Sequence, residues 1–122
     1  MRRTTRTRSS PAITFDTVRE IALTFPGAVE STSYGTPAFK VAKKLFTRLH
    51  QDGESLVVRI DEAERTRRMK SDPVTYFITD HYLNYPWILV KLSTVKRDDL
   101  HVLLAEAWRH VAPSSLIDDA GL

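Results

Sequence analysis

Cysteine is absent from the 122 residues of this chain, which excludes disulfide staples, thiolate nucleophiles and every cysteine-based zinc site, and accords with a reducing cytoplasm. No apolar run approaches the roughly 18 residues that span a bilayer, so a soluble, cytoplasmic protein with no membrane partner is expected. The four glycines are scattered and build neither a phosphate-cradling P-loop nor a dinucleotide fingerprint. His50, His81, His101 and His110 lack the spacing of a zinc site, and Asp98 with His101, three apart on a helix, does not complete a ligand set. Nothing marks a nucleophile elbow. No metal, no cofactor and no catalytic residue is therefore expected, and a non-enzymatic protein is the reading that these absences favour.

What is present is enough for one domain, because a chain of this length buries roughly two thirds of its unfolded surface. The formal charge is +3 and the pI about 9.4, a balance that invites a nucleic-acid reading if the charge is suitably placed. Arg2, Arg3, Arg6 and Arg8 alone supply +4 with no acid among the first ten residues, leaving −1 for the rest of the chain. Residues 1–12 have almost no apolar content and are expected to form a flexible tail. Their composition resembles a transit peptide, but they are short and lack an amphipathic stripe. Within the body, residues 40–70 carry nine Lys/Arg against five Asp/Glu, a modest central basic zone.

Phe15, Val18, Ile21, Ala22 and Phe25 recur at helical spacing after a Thr14 N-cap until Pro26-Gly27 stops the helix. Short β runs follow at about Ser31–Tyr34 and Ala38–Val41, separated by the turn formers Gly35 and Pro37. Runs Lys44–Leu49 and Ser55–Ile60 flank His50–Glu54, whose Asp-Gly pair is a hairpin signal. Asp61 with Glu64 opens a short helix to about Lys70, ended by Ser71-Asp72-Pro73. Strands at Val74–Thr79 and Tyr85–Leu92 precede a last helix whose stripe is Leu100, Leu103, Leu104, Ala107 and Val111, closed by Pro113. The expected fold is a two-layer α+β domain, α-β(3)-α-β(2)-α, over residues 13–114, with a mainly antiparallel sheet, helices on one face and a C-terminal tail at 115–122.

The Pro26-Gly27 turn, Gly35-x-Pro37-x-Phe39, Lys44-x-Phe46, the strand Trp87 and the closing Ala107–Pro113 run occur in an order that resembles the MmcQ/YjbR family over about residues 14–113. The resemblance implies a small α+β domain and a DNA-binding role through a double-wing arrangement. Trp108 departs from it, since a Tyr is expected there.

Strand parity points Phe39, Val41, Leu45, Leu49, Leu56, Val58, Ile60, Ile88, Val90 and Leu92 toward the helices. Lys40, Phe46, Arg48, Val57, Arg59, Tyr85, Trp87 and Lys91 then share the uncovered face. Such an aromatic and basic face suits single-stranded nucleic acid, and equally a protein interface. A bulge would invert this and bury Phe46 or Trp87. Hairpin His50–Glu54 is the candidate wing, with Lys43, Lys44 and Arg48 at its base, although Asp52 and Glu54 at its tip repel phosphate. Arg65, Arg67, Arg68 and Lys70 lie with Glu62 and Glu64 on the middle helix, where mixed charge marks an exposed face.

The leading expectation is a weak, electrostatic DNA-binding module using Lys40, Lys43, Lys44, Arg48, Arg59, Trp87 and Lys91. The alternative is a protein-interaction or homodimerisation module using the open sheet face. A small-molecule cleft beside Trp87 is the third reading.

Overall fold

The computed structural model describes residues 13–120; the expectation for residues 1–12 lies outside the described residues. Helix α1 (Phe15–Ala22) starts where Thr14 is extended and its carbonyl accepts from Thr17 and Val18 (3.0 and 3.3 Å). It buries Val18, Ile21 and Ala22. Arg19 on its outer side donates from Nε and Nη2 to the Glu30 carboxylate (2.9 and 3.0 Å) and also pairs with Asp16. The helix is thereby tied to the first strand. Between them Gly27 takes φ +73°, and a Cβ there would stand 2.8 Å from Leu116 Cδ1 and 3.1 Å from Val41 Cγ2.

Six strands follow: β1 (Val29–Ser33), β2 (Thr36–Val41), β3 (Lys44–Leu49), β4 (Ser55–Arg59), β5 (Tyr76–Phe77) and β6 (Trp87–Lys91). They form one sheet in the order β1-β2-β3-β4-β6-β5, every neighbouring pair antiparallel. The α+β class and the antiparallel sheet are as the sequence leads one to expect. The first block, however, holds four strands rather than three. Tyr34 and Gly35, with φ of 54° and 77°, turn the chain in two residues, the left-handed pair of a type I′ hairpin, so the break between the first two β runs is a complete reversal.

Helix α2 (Glu62–Ser71) is capped by Asp61, whose carboxylate accepts from the Glu64 N–H at 2.8 Å. Helix α3 (Arg97–Val111) buries Leu100, Leu103, Leu104, Ala107 and Trp108, with Val111 half-buried. Trp108 is fully enclosed and donates from Nε1 to the Pro26 carbonyl (2.8 Å), so the indole closes the turn after α1. Pro113 does not end the fold. It starts α4 (Ser114–Ala120), its carbonyl accepting from Leu116 and Ile117, and both of these side chains pack on the core. The expected tail at 115–122 is thus helical as far as residue 120, because two more apolar residues find the surface beside Gly27.

Helices α1 and α3 cover one face of the sheet over Phe39, Val41, Phe46, Leu56, Val58, Ile88 and Val90. Parity holds on every strand except β3. Phe39 pairs with Thr47 and Lys40 with Leu45, which leaves Phe46 as the extra residue of a β-bulge. Phe46 therefore turns into the core and Leu45 turns out, the reverse of the alternation expected for both.

Candidate functional site

The second face of the sheet is only partly open. After Phe77 the chain leaves the sheet, makes a single 3-10 turn (Asp80–Tyr82) and brings Tyr82 over the β4 and β6 side chains Val57 and Leu89. Tyr82 packs with Val57 and Leu89 into a second apolar cluster, against which Phe77, Ile78 and Trp87 lean. This departure from the ladder is why β5 has two residues instead of the expected Val74–Thr79, and why β6 starts only at Trp87.

The roof is held by an arginine that sequence reasoning assigns to an exposed helix face. Arg65 of α2 is buried and donates from Nη1 to the carbonyls of Tyr82 (3.0 Å), Tyr85 (2.8 Å) and Trp87 (3.2 Å), and from Nη2 to that of Leu83 (3.1 Å). Arg68, also buried, donates to Glu64 Oε2 (2.8 Å) and to the Tyr76 hydroxyl (3.2 Å). Hydrogen bonding from Arg67, with that from Arg68, holds the Glu64 carboxyl below its ordinary pKa, while burial pushes the Tyr76 phenol up. Of the α2 cations, Arg65, Arg67 and Arg68 are engaged within the protein, and Lys70 is exposed.

Under the roof lies a cleft of about 570 Å³ lined by Tyr34, Leu45, Arg48, Gln51, Val57, His81, Tyr82, Tyr85 and Trp87. Arg48 is its cation. Only 5% of it is exposed, and its guanidinium donates from Nη1 to Thr36 Oγ1 (3.3 Å), Leu49 O (3.1 Å) and Gln51 Oε1 (3.3 Å) and from Nη2 to the Tyr82 hydroxyl (3.0 Å). The Tyr34 ring stands over it, 5.0 Å from its centroid to Cζ. Every one of these partners is neutral. Among the described residues no carboxylate lies within ion-pair reach of Arg48, and none lines the cleft.

Of the residues expected to form a site, the structure brings Arg48 and Trp87 together in this cleft. Arg59 sits beside Trp87 in the β4–β6 register, half-buried, with Nη1 donating to the Ile60 carbonyl (3.2 Å). Lys40 faces the same side, opposite Leu45, and leads to the exposed Lys43 and Lys44 at the β2–β3 turn. Lys91 is exposed at the far end of β6, opposite Ser55. Phe46 leaves the group for the core. Tyr34, Gln51, His81 and Tyr82 belong to the cleft and escape the strand argument because turns and a loop supply them, where no periodicity operates.

The β3–β4 tip, the expected wing, is closed on itself. Burial pushes the Asp52 carboxyl up, but hydrogen bonds from the Glu54 and Ser55 backbone N–H groups (2.8 and 2.9 Å) outweigh it and leave the pKa lowered. The tip therefore keeps its negative charge. The β2–β3 hairpin carries Lys40, Lys43 and Lys44, none in an ion pair among the described residues.

A family model described as YjbR matches residues 23–110. The chain belongs to the YjbR family. Relatives include the uncharacterized proteins Mb2600 of Mycobacterium bovis and Rv2570 of Mycobacterium tuberculosis, each 33% identical over 85 residues, which span 66% of this chain and 66% of the relative's length. The crystal structure of Deinococcus radiodurans protein DR2400, domain DUF419, shares the fold with a TM-score of 0.74 at 21% identity, over 94% of this chain and 93% of that one. Among the described residues, no group of three or more His, Asp or Glu is placed to hold a metal, and no helix is long and apolar enough to cross a membrane.

Proposed function

We propose that this YjbR-family chain is a non-enzymatic binding module that holds DNA weakly through its phosphates. Lys40, Lys43 and Lys44 of the β2–β3 hairpin are the principal contacts, with Arg59 and Lys91 further along the same sheet face. The observation that carries this reading is the grouping of three lysines without acidic partners on one hairpin, beside a neighbouring hairpin whose Asp52 and Glu54 exclude phosphate. Phosphate contacts ask only for positioned cations, so a bent two-strand wing suffices to grip a backbone without reading its bases. The wing is β2–β3 rather than β3–β4.

Titrating a duplex oligonucleotide at several salt concentrations tests it. The Lys43→Gln/Lys44→Gln variant should weaken binding and lower the log–log salt slope by up to about 0.9 for each phosphate no longer neutralised. An unchanged slope would remove the hairpin from the interface. Self-association is a second reading, favoured by the exposure of Tyr34 and Tyr85 at 78% and 57%, since exposed aromatics are enriched in interface cores. A dimer on size exclusion that disappears on Tyr85→Ser would support it.

A further inference from the structure

The cleft holds a charge that the protein does not neutralise. An arginine cannot shed its proton at any accessible pH, so the Arg48 guanidinium is a permanent cation, only 5% exposed and surrounded by neutral groups alone. Its hydrogen bonds use Nη1 and one Nη2 proton, leaving donor capacity at Nε and Nη2. In so poorly hydrated a place a cation attracts an anion far more strongly than it would in water. The walls around it specify the rest of the ligand. Tyr34, Tyr82, Tyr85 and Trp87 offer flat apolar surface, Leu45 and Val57 an apolar floor, and Gln51 and His81 a small number of polar groups, the usual make-up of a small-molecule site of this size.

We propose that this cleft is a binding site for a small planar aromatic acid, its anionic group paired with Arg48 and its ring set against Tyr85 and Trp87. The site is distinct from the hairpin lysines and goes beyond the phosphate-backbone reading. A free acid fits the cleft because Arg48 is the one Lys or Arg that lines it among the described residues, while Lys40 and Arg59 stand at its margins, opposite Leu45 and Trp87.

Titration calorimetry of the full chain with indole-3-carboxylate, and with uncharged indole as its isostere, tests the proposal. Saturable one-to-one binding of the acid is expected, weakened about tenfold or more by removing its carboxylate, as suits a charge-assisted bond. The Trp87 indole N–H resonance should move on titration while that of the enclosed Trp108 stays. Arg48→Gln should reduce affinity about tenfold or more on the same ground. Because that change also disturbs the bonds to Leu49 and Tyr82, Tyr34→Ala at its exposed turn serves as a second variant and should weaken the acid severalfold. Lys43→Gln/Lys44→Gln should leave acid binding as it is. No saturation by the acid, equal affinity for indole, or an oligonucleotide that moves the Trp87 resonance and is not displaced by the acid would each overturn the proposal.

Discussion

Arginine is the residue whose position in the sequence says least about its role here. Arg48, Arg65 and Arg68 all occur in a stretch that looks like a solvated basic zone, yet each is at most 8% exposed. Their long apolar stems cross the core margin and their planar heads reach backbone carbonyls and phenols, which a lysine cannot do with one point charge. Arg48→Glu is accordingly no surface change: it would place an unpaired carboxylate where four acceptors already converge. Arg65 gives the sharper test. Arg65→Ala should free the four carbonyls of Tyr82, Leu83, Tyr85 and Trp87, destabilise the fold by about 2 kcal/mol or more, and accelerate amide exchange across residues 79–87 beyond what global unfolding accounts for. Exchange there that tracks the core would mean that the roof is held by Tyr82 packing alone.

At the scale of elements, the two-residue turns and the bulge shape the second face. The β1–β2 turn puts Tyr34 over Arg48, and the β2–β3 turn presents the lysines. That second turn carries two non-glycine residues in left-handed conformation, Ala42 at φ 50° and Lys43 at φ 68°, where side chains with a Cβ cost about 1–2 kcal/mol each. Asn-Gly is the favoured pair for such a turn, so Ala42→Asn/Lys43→Gly should raise stability by about 1 kcal/mol, measured as a higher denaturant midpoint at unchanged slope. A lower midpoint would show that the Lys43 side chain supports the hairpin. The bulge acts by parity. By seating Phe46 in the core and turning Leu45 out, it lets the same strand serve the main core near its start and the cleft floor, with Arg48 three residues after Leu45.

For the molecule as a whole, the helices and the sheet enclose one main core, and Leu103 lies within it, 1% exposed. Leu103→Ala should cost about 2–5 kcal/mol, the range for a buried leucine, read from chemical denaturation; a neutral result would mean that α3 closes over the cavity. The core itself was legible in the chain. Val18, Ile21, Phe39, Val41, Ile88, Val90, Leu100, Leu103 and Leu104 all lie where their helical or strand period sends them, because amphipathic spacing is a local property repeated over several turns or pleats. The antiparallel pairing of β3 with β4 was legible too, since the Asp52-Gly53 turn leaves no room for a crossover. Helix α4 and the set of residues that line the cleft were not. Each depends on residues meeting from distant parts of the chain: Leu116 against Gly27, Arg65 against the carbonyls of residues 82–87, Tyr82 and Tyr34 against Arg48.

The sequence by itself determined the class of fold, the buried faces of α1 and α3 and the absence of cysteine chemistry, all of which follow from composition and short-range periodicity. Only the tertiary structure decided that the aromatic and basic face is a roofed cleft rather than an open plane, and that its arginine has no carboxylate beside it among the described residues. A buried charge is defined by every group that surrounds it, and those groups come together only when the chain has folded.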